Sequence, residues 1–143
     1  MNSVLFSSNT DQWATPQDVY DELNKEFDFD LDPCADDQNH KTELYYTKEQ
    51  DGLKQDWSGR RFFCNPPYGR DVGRWVEKAF RESAKDGTIV VLLIPARTDT
   101  RWFHDYIQHR SEIRFVKGRL KFGGGETPAP FPSMVVIFRA AGM

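Results

Sequence analysis

Hydrophobic and polar positions alternate along this chain in two periods. Tyr20, Leu23 and Phe27 fall three to four residues apart and, with Val19 four before Leu23, continue one helix face. Thr15-Pro16-Gln17-Asp18 reads as the start of that helix, with Thr15 as N-cap, Pro16 where its missing donor costs little, and Asp18 returning a hydrogen bond. A second helix is predicted after Asp71, with Val72, Trp75, Val76, Ala79 and Phe80 on its apolar face and Gly87 beyond its end. Shorter apolar runs predict strands. Phe29-Asp30-Leu31 ends at Asp32-Pro33, and Arg61-Phe62-Phe63-Cys64 runs straight into Asn65-Pro66-Pro67-Tyr68-Gly69, whose prolines exclude further pairing. The unbroken apolar run 89–94 has the character of a central parallel strand covered on both faces. A short helix is expected to carry Trp102, Phe103, Tyr106 and Ile107, and strands are expected over 113–116 and 134–138. Residues 34–41 are too polar for a core element, 44–46 form a weak apolar segment, and 123–130 read as a loop between the last strands, as in a hairpin. Strands alternating with helices, followed by an extended ending, favour an open α/β sheet over a bundle or barrel.

At 143 residues, without repeats or a Pro/Gly/Ser linker, the chain is expected to form one compact domain over 1–143. Residues 1–10 are polar and are expected to be loose or to lie over a pocket. Although mean hydropathy is −0.68, 38% of residues are hydrophobic, with 11 Phe and 4 Trp, which places the chain among globular proteins rather than disordered ones. With 19 basic and 22 acidic residues the net charge is −3, so binding to nucleic acid requires a local basic patch. Arg97 and Arg101 follow the strongest strand, while Lys117, Arg119 and Lys121 alternate on an expected strand face. Such alternation also suits a solvated edge that discourages aggregation. Cys34, Cys64, His40, His104 and His109 have no metal-ligand spacing, so no metal is expected. No signal-peptide pattern and no apolar stretch of about 20 residues is found, so a reducing cytoplasm and no membrane association are expected.

Asn65-Pro66-Pro67-Tyr68 is the sharpest feature. Structurally it is a rigid turn with a core tyrosine; chemically it places fixed carbonyl oxygens beside an aromatic ring. It resembles the catalytic motif Asp/Asn-Pro-Pro-Tyr/Phe of the amino-group methyltransferases that use S-adenosylmethionine, and more closely that of the small phage-type DNA adenine methyltransferases, the Dam-like family. The resemblance covers nearly the whole chain. Trp13-Ala14-Thr15-Pro16 is similar to the family's segment touching the cofactor's methionine part, and Leu31-Asp32-Pro33-Cys34-Ala35 to its first cofactor motif. Gly52-Leu53-Lys54-Gln55-Asp56-Trp57 matches the segment before the catalytic motif. Ile94-Pro95-Ala96-Arg97, Trp102-Phe103 and Lys117-Gly118-Arg119-Leu120-Lys121-Phe122 also look like the phage-type pattern.

The resemblance implies a Rossmann-like S-adenosylmethionine-dependent methyltransferase fold, an open mostly parallel sheet with an antiparallel carboxyl-terminal strand. It implies transfer of a methyl group to the N6 amine of adenine in double-stranded DNA, with no obligatory protein partner and, for a phage-encoded chain, the bacterial host cytoplasm as the setting. A GATC target is an expectation for Dam-like enzymes. Asn65, Pro66, Pro67 and Tyr68 would be catalytic; Trp13, Thr15, Pro16, Asp32, Pro33, Cys34, Ala35 and Asp56 would contact S-adenosylmethionine; Arg97, Arg101, Lys117, Arg119 and Lys121 would contact DNA. Asp32 would meet the methionine ammonium and Asp56 the cofactor's adenine amine. Asp36, Asp37 and Glu43 all remain open for the ribose. The amine of adenine is a weak nucleophile because its lone pair is delocalised, so it must be aligned and its hydrogens held. The Asn65 side-chain carbonyl and the Pro66 backbone carbonyl are placed to accept them, with Tyr68 offering a ring face to a flipped base. Where many relatives carry Asp, Asn65 keeps the acceptor and removes the charge, so it is no base. The sequence departs from the broad methyltransferase pattern in having no glycine-rich run after the first strand. Methylation of a protein glutamine or an RNA amine, and an inactive nucleic-acid-binding domain, are the competing readings.

Overall fold

A computed structural model describes residues 13–140; the segment 1–10, expected to be loose, lies outside the described residues. The elements are α1 (Gln17–Phe27), β1 (Leu31–Asp32), β2 (Leu44–Tyr45), a 3₁₀ turn (Gly52–Lys54), β3 (Arg61–Cys64), α2 (Val72–Glu82), β4 (Ile89–Pro95), a wide π-type turn (Phe103–Ile107), β5 (Glu112–Phe115), a second 3₁₀ turn (Phe122–Gly124) and β6 (Ser133–Arg139). They build one six-stranded sheet of order β2-β1-β3-β4-β6-β5. The first four neighbours pair in parallel, and β6 runs antiparallel to both β4 and β5. The result is a mixed, mostly parallel sheet with flanking helices, consistent with a Rossmann-like fold.

Burial explains this order. β4 is buried along nearly its whole length because β3 covers one edge and β6 the other. Tyr20 from α1 meets the ring of Phe63 on β3, and Phe80 from α2 meets Phe138 on β6, so aromatic rings join helices to sheet. Because β1, β3 and β4 are parallel and β5 shares their direction through β6, all four end on one edge of the sheet. The order reverses at β1, with β2 on one side and β3 on the other. A crevice at the carboxyl ends of strands beside such a reversal is where open α/β sheets bind ligands.

Three local expectations are corrected. Thr15 does not cap α1: the helix begins at Gln17 with Pro16 as its capping residue, and no side-chain cap bond is made there among the described residues. Lys117, Arg119 and Lys121 do not share a strand face, since β5 stops at Phe115. Gly118 adopts a left-handed φ of 74° and Pro132, facing that end of β5, has no N–H to continue the ladder. β1 spans only two residues, while the expected short helix around Tyr106 is present, as a π-helical stretch over Phe103–Ile107.

Candidate active site

The carboxyl ends of β1 and β3 open into a cavity of about 800 Å³, within the usual size of a small-molecule site. Its walls come from the amino-terminal segment 13–15, the turn after β1, the Asp51 to Leu53 stretch, the Asn65 to Pro67 turn and the start of α2. Several sequence-predicted residues therefore meet there: Trp13, Thr15, Asp32, Pro33, Cys34, Ala35, Asn65, Pro66 and Pro67.

Asp32 ends β1 on the cavity wall and is only 5% exposed. Its Oδ1 accepts the Cys34 N–H at 3.0 Å, which closes the turn. No basic side chain forms an ion pair with it among the described residues. Burial pushes its pKa from 3.8 up to about 8, against the pull of the Cys34 amide and Lys41. The site thus has a buried acid that a cation would convert to carboxylate. Cys34 and Cys64 are free thiols whose pKa values are raised by burial, so neither is an activated nucleophile.

The absent glycine-rich run has a physical substitute. Gly52 packs so closely on the turn after β1 that a Cβ at this position would lie 1.9 Å from the Pro33 carbonyl oxygen and 3.0 Å from Trp75. Close backbone approach is supplied from a segment remote in sequence. That segment is pinned: Trp57 Nε1 donates to the Gly52 carbonyl at 2.8 Å, and the Trp57 N–H donates to Glu82 at 2.7 Å.

Asn65 follows β3 immediately, and both sides of its amide are engaged. Its Nδ2 donates to the Trp13 carbonyl and, at 3.0 Å, to the Thr15 hydroxyl. Its Oδ1 accepts the Tyr68 hydroxyl at 2.6 Å, leaving a second lone pair. Tyr68 itself is 4% exposed and its ring meets Phe122 and Phe131 edge-on, at centroid distances of 6.2 and 5.4 Å. It therefore presents no open face for a base in this conformation. Burial raises its pKa, which keeps the hydroxyl a donor. Trp13 also meets Phe122 and Phe131, and Gly123 N–H donates to the Ala14 carbonyl at 2.9 Å, so loop 116–132 is tied to the amino-terminal segment.

Two expected contacts are not brought to the cavity. Pro16 is outside its lining, and Asp56 is exposed on another surface, where Lys85 at 2.8 Å and Ser58 hold its carboxyl below the ordinary range. Asp51 lines the cavity instead, with a left-handed φ of 55° and its carboxylate accepting the Leu53 N–H. Sequence reasoning passed over it, although Asp-Gly is a turn signal that marks such a geometry. Of the open ribose candidates, Asp36 and Asp37 reach the cavity and Glu43 does not. Arg97, Arg101, Lys117, Arg119 and Lys121 are all exposed. Arg70, not singled out from sequence, is exposed beside the Asn65 turn.

Among the described residues no His/Cys/Asp/Glu group is arranged to hold a metal, and no helix is long and apolar enough to cross a membrane.

A crevice at a strand-order reversal, with a buried acid and Asn65-Pro66-Pro67 on its wall, is an arrangement that suits an amino-directed methyltransferase. The family model described as DNA N-6-adenine-methyltransferase (Dam) matches residues 2–141. Over 139 residues the chain is 34% identical to the DNA N-6-adenine-methyltransferase of Haemophilus phage HP1 (strain HP1c1), covering 92% of this chain and 80% of that protein. It is 33% identical over 135 residues to the DNA N-6-adenine-methyltransferase of Escherichia phage T1, covering 82% of this chain and 56% of that protein. The chain belongs to the DNA N-6-adenine-methyltransferase (Dam) family.

Proposed function

We propose that this protein transfers the methyl group of S-adenosylmethionine to the exocyclic N6 amine of adenine in double-stranded DNA. The observation that carries the reading is the meeting of Asp32 and Asn65 in one cavity: a buried acid suited to a cation shares it with an amide suited to an amine. The donor set fits the cofactor. Asp32 would take the methionine ammonium, and Asp51, Leu53 and Trp75 line the wall left for the nucleoside. When bound, S-adenosylmethionine supplies an electrophilic methyl on its sulfonium.

The chain's own residues supply position and electrostatics. Asn65 Oδ1 keeps one lone pair for an amine hydrogen, and the Pro66 carbonyl, fixed by two prolines, serves the other. Holding both hydrogens favours the change at nitrogen as its lone pair leaves conjugation with the ring. Asn65 is uncharged and removes no proton; the nitrogen, cationic once methylated, is acidic enough to release its proton to solvent. A base inside a duplex cannot reach this turn, so the target adenine must be flipped out at a cost of a few kcal/mol. Stacking on Tyr68, worth about 1–3 kcal/mol per base, first requires Phe122 and Phe131 to move aside.

Arg70, Arg97, Arg101, Lys117, Arg119 and Lys121 would hold phosphates. They follow β3, β4 and β5, whose carboxyl ends share the edge carrying Asn65.

The test is transfer of labelled methyl to unmethylated duplex DNA, with nucleoside analysis, by the intact protein and by Asn65→Ala. Methyladenine made by the intact protein and reduced at least about a hundredfold in the variant is expected, comparable to the loss of one donor in an oxyanion hole. No transfer to DNA, with cofactor and DNA binding both demonstrated, would refute the reading; transfer to RNA or a glutamine side chain in parallel assays would reassign the acceptor.

A further inference from the structure

A planar amide is useful as an acceptor only if its plane and its direction are both fixed. On one side of Asn65 neither is decided. Tyr68 hydroxyl lies 2.6 Å from Asn65 Oδ1 and 3.0 Å from the Leu93 carbonyl oxygen. If the amide turned over, that hydroxyl would rotate to donate to Leu93 and accept from Nδ2, so Tyr68 tolerates both directions. The opposite side discriminates. The Trp13 carbonyl only accepts, which requires Nδ2 to face it, and the Thr15 hydroxyl at 3.0 Å takes the second hydrogen of the same nitrogen. One bond sets the direction; two bonds from one nitrogen also set the plane. Thr15 is 7% exposed and does not cap α1, so its hydroxyl is committed to this pocket.

We propose that Thr15 is a positioning residue for the Asn65 amide, fixing the plane in which its carbonyl meets the substrate amine. The inference deepens the methyltransferase reading and rests on it for its catalytic consequence. The hydrogen bond itself can be tested without that reading.

Thr15→Val keeps the shape and removes the acceptor, whereas Thr15→Ser keeps the hydroxyl. In the protein alone, the nitrogen-15-resolved side-chain amide signal of Asn65 is expected to shift in Thr15→Val, with faster hydrogen exchange, and to stay near the parent position in Thr15→Ser. In steady-state transfer, Thr15→Val is expected to lower kcat about three- to tenfold, as for one lost orienting hydrogen bond, while KM for S-adenosylmethionine and for duplex DNA stays within about twofold. Thr15→Ser restores most of kcat. If Thr15→Val does not fold, Thr15→Ala carries the same expectation.

An unchanged Asn65 amide signal in Thr15→Val overturns the proposal. So does a raised KM for S-adenosylmethionine at unchanged kcat, which makes Thr15 a cofactor contact, or a kcat that serine does not restore, which makes the buried methyl responsible. Absence of transfer by the parent protein would remove the methyltransferase reading, and the amide signal would still decide whether Thr15 holds Asn65.

Discussion

The substitution Asp32→Asn should make the protein more stable on its own and deprive it of its cofactor response. The unfolded chain ionises this carboxyl above its ordinary value of 3.8, while the folded chain keeps it protonated up to about 8, chiefly because it is buried. Between these values folding requires uptake of a proton, so stability falls as pH rises from about 4 to about 8 and changes no further above that. At pH 7 the cost is on the order of 4 kcal/mol, from about 1.4 kcal/mol for each pH unit between 3.8 and 7. The side-chain oxygen of the substituted amide would still accept the Cys34 N–H, so the turn after β1 is retained. For a chain of this size such a gain corresponds to a Tm higher by about 10 °C. The assay is thermal unfolding of both proteins from pH 4 to 8.5, with and without S-adenosylmethionine. The variant's advantage should vanish near pH 4 and grow toward pH 8, and added cofactor should raise the Tm of the parent alone. A variant no more stable than the parent at pH 7 would refute the account of Asp32 as a buried acid held at a cost for a cation.

Gly52→Ala would place a Cβ against the Pro33 carbonyl, where backbone must yield. Overpacking of about 1–3 kcal/mol is expected by chemical denaturation, together with weaker cofactor binding in calorimetry; unchanged binding would mean that the wall is not shaped by this contact. Replacing Lys117, Arg119 and Lys121 together by Ala should weaken duplex binding and reduce the slope of log affinity against log salt by about 3, leaving cofactor affinity unaltered. An unchanged slope would make these residues a solvated loop.

Strands β3 and β4 and helix α2 were legible because each is specified by its own residues: an apolar run or a helical stripe needs no distant partner to be recognised. The candidate site was legible where a motif ends a strand, as at Asp32 and Asn65, which share the cavity. It was not legible where the cavity wall depends on what arrives from elsewhere. Thr15 has the local signature of a helix cap, yet its partner Asn65 is 50 residues away. Asp56 and Asp51 lie on one short segment, and only the fold turns Asp51 inward while Lys85 draws Asp56 outward. The rings that cover Tyr68, Phe122 and Phe131, come from a distant loop that the Asn65 to Tyr68 motif does not announce. Alternating Lys117, Arg119 and Lys121 mimic a strand, but Gly118 and the Pro132 opposite end the pairing.

The net charge of −3 conceals a division along the functional edge of the sheet. Over β1 and β3 the cavity gathers Asp36, Asp37, Glu49, Asp51 and Asp71, with Asp32 neutral until a cation binds, against Lys41, Lys48 and Arg74. Beyond β4 and β5 stand the exposed Arg97, Arg101, Lys117, Arg119 and Lys121, none in an ion pair among the described residues, against the exposed Asp99, Asp105 and Glu126. On the proposed reading the two halves suit two ligands of opposite sign: the acidic half takes a cationic cofactor, and the basic half takes a polyanion that the acidic half repels. Duplex DNA would then lie over the β4 and β5 side rather than across the cavity mouth. Asn65, following the strand between β1 and β4, stands at the boundary. A base turned out of a duplex held on one side would meet a methyl donor held on the other, and the two need not share a surface at any other point.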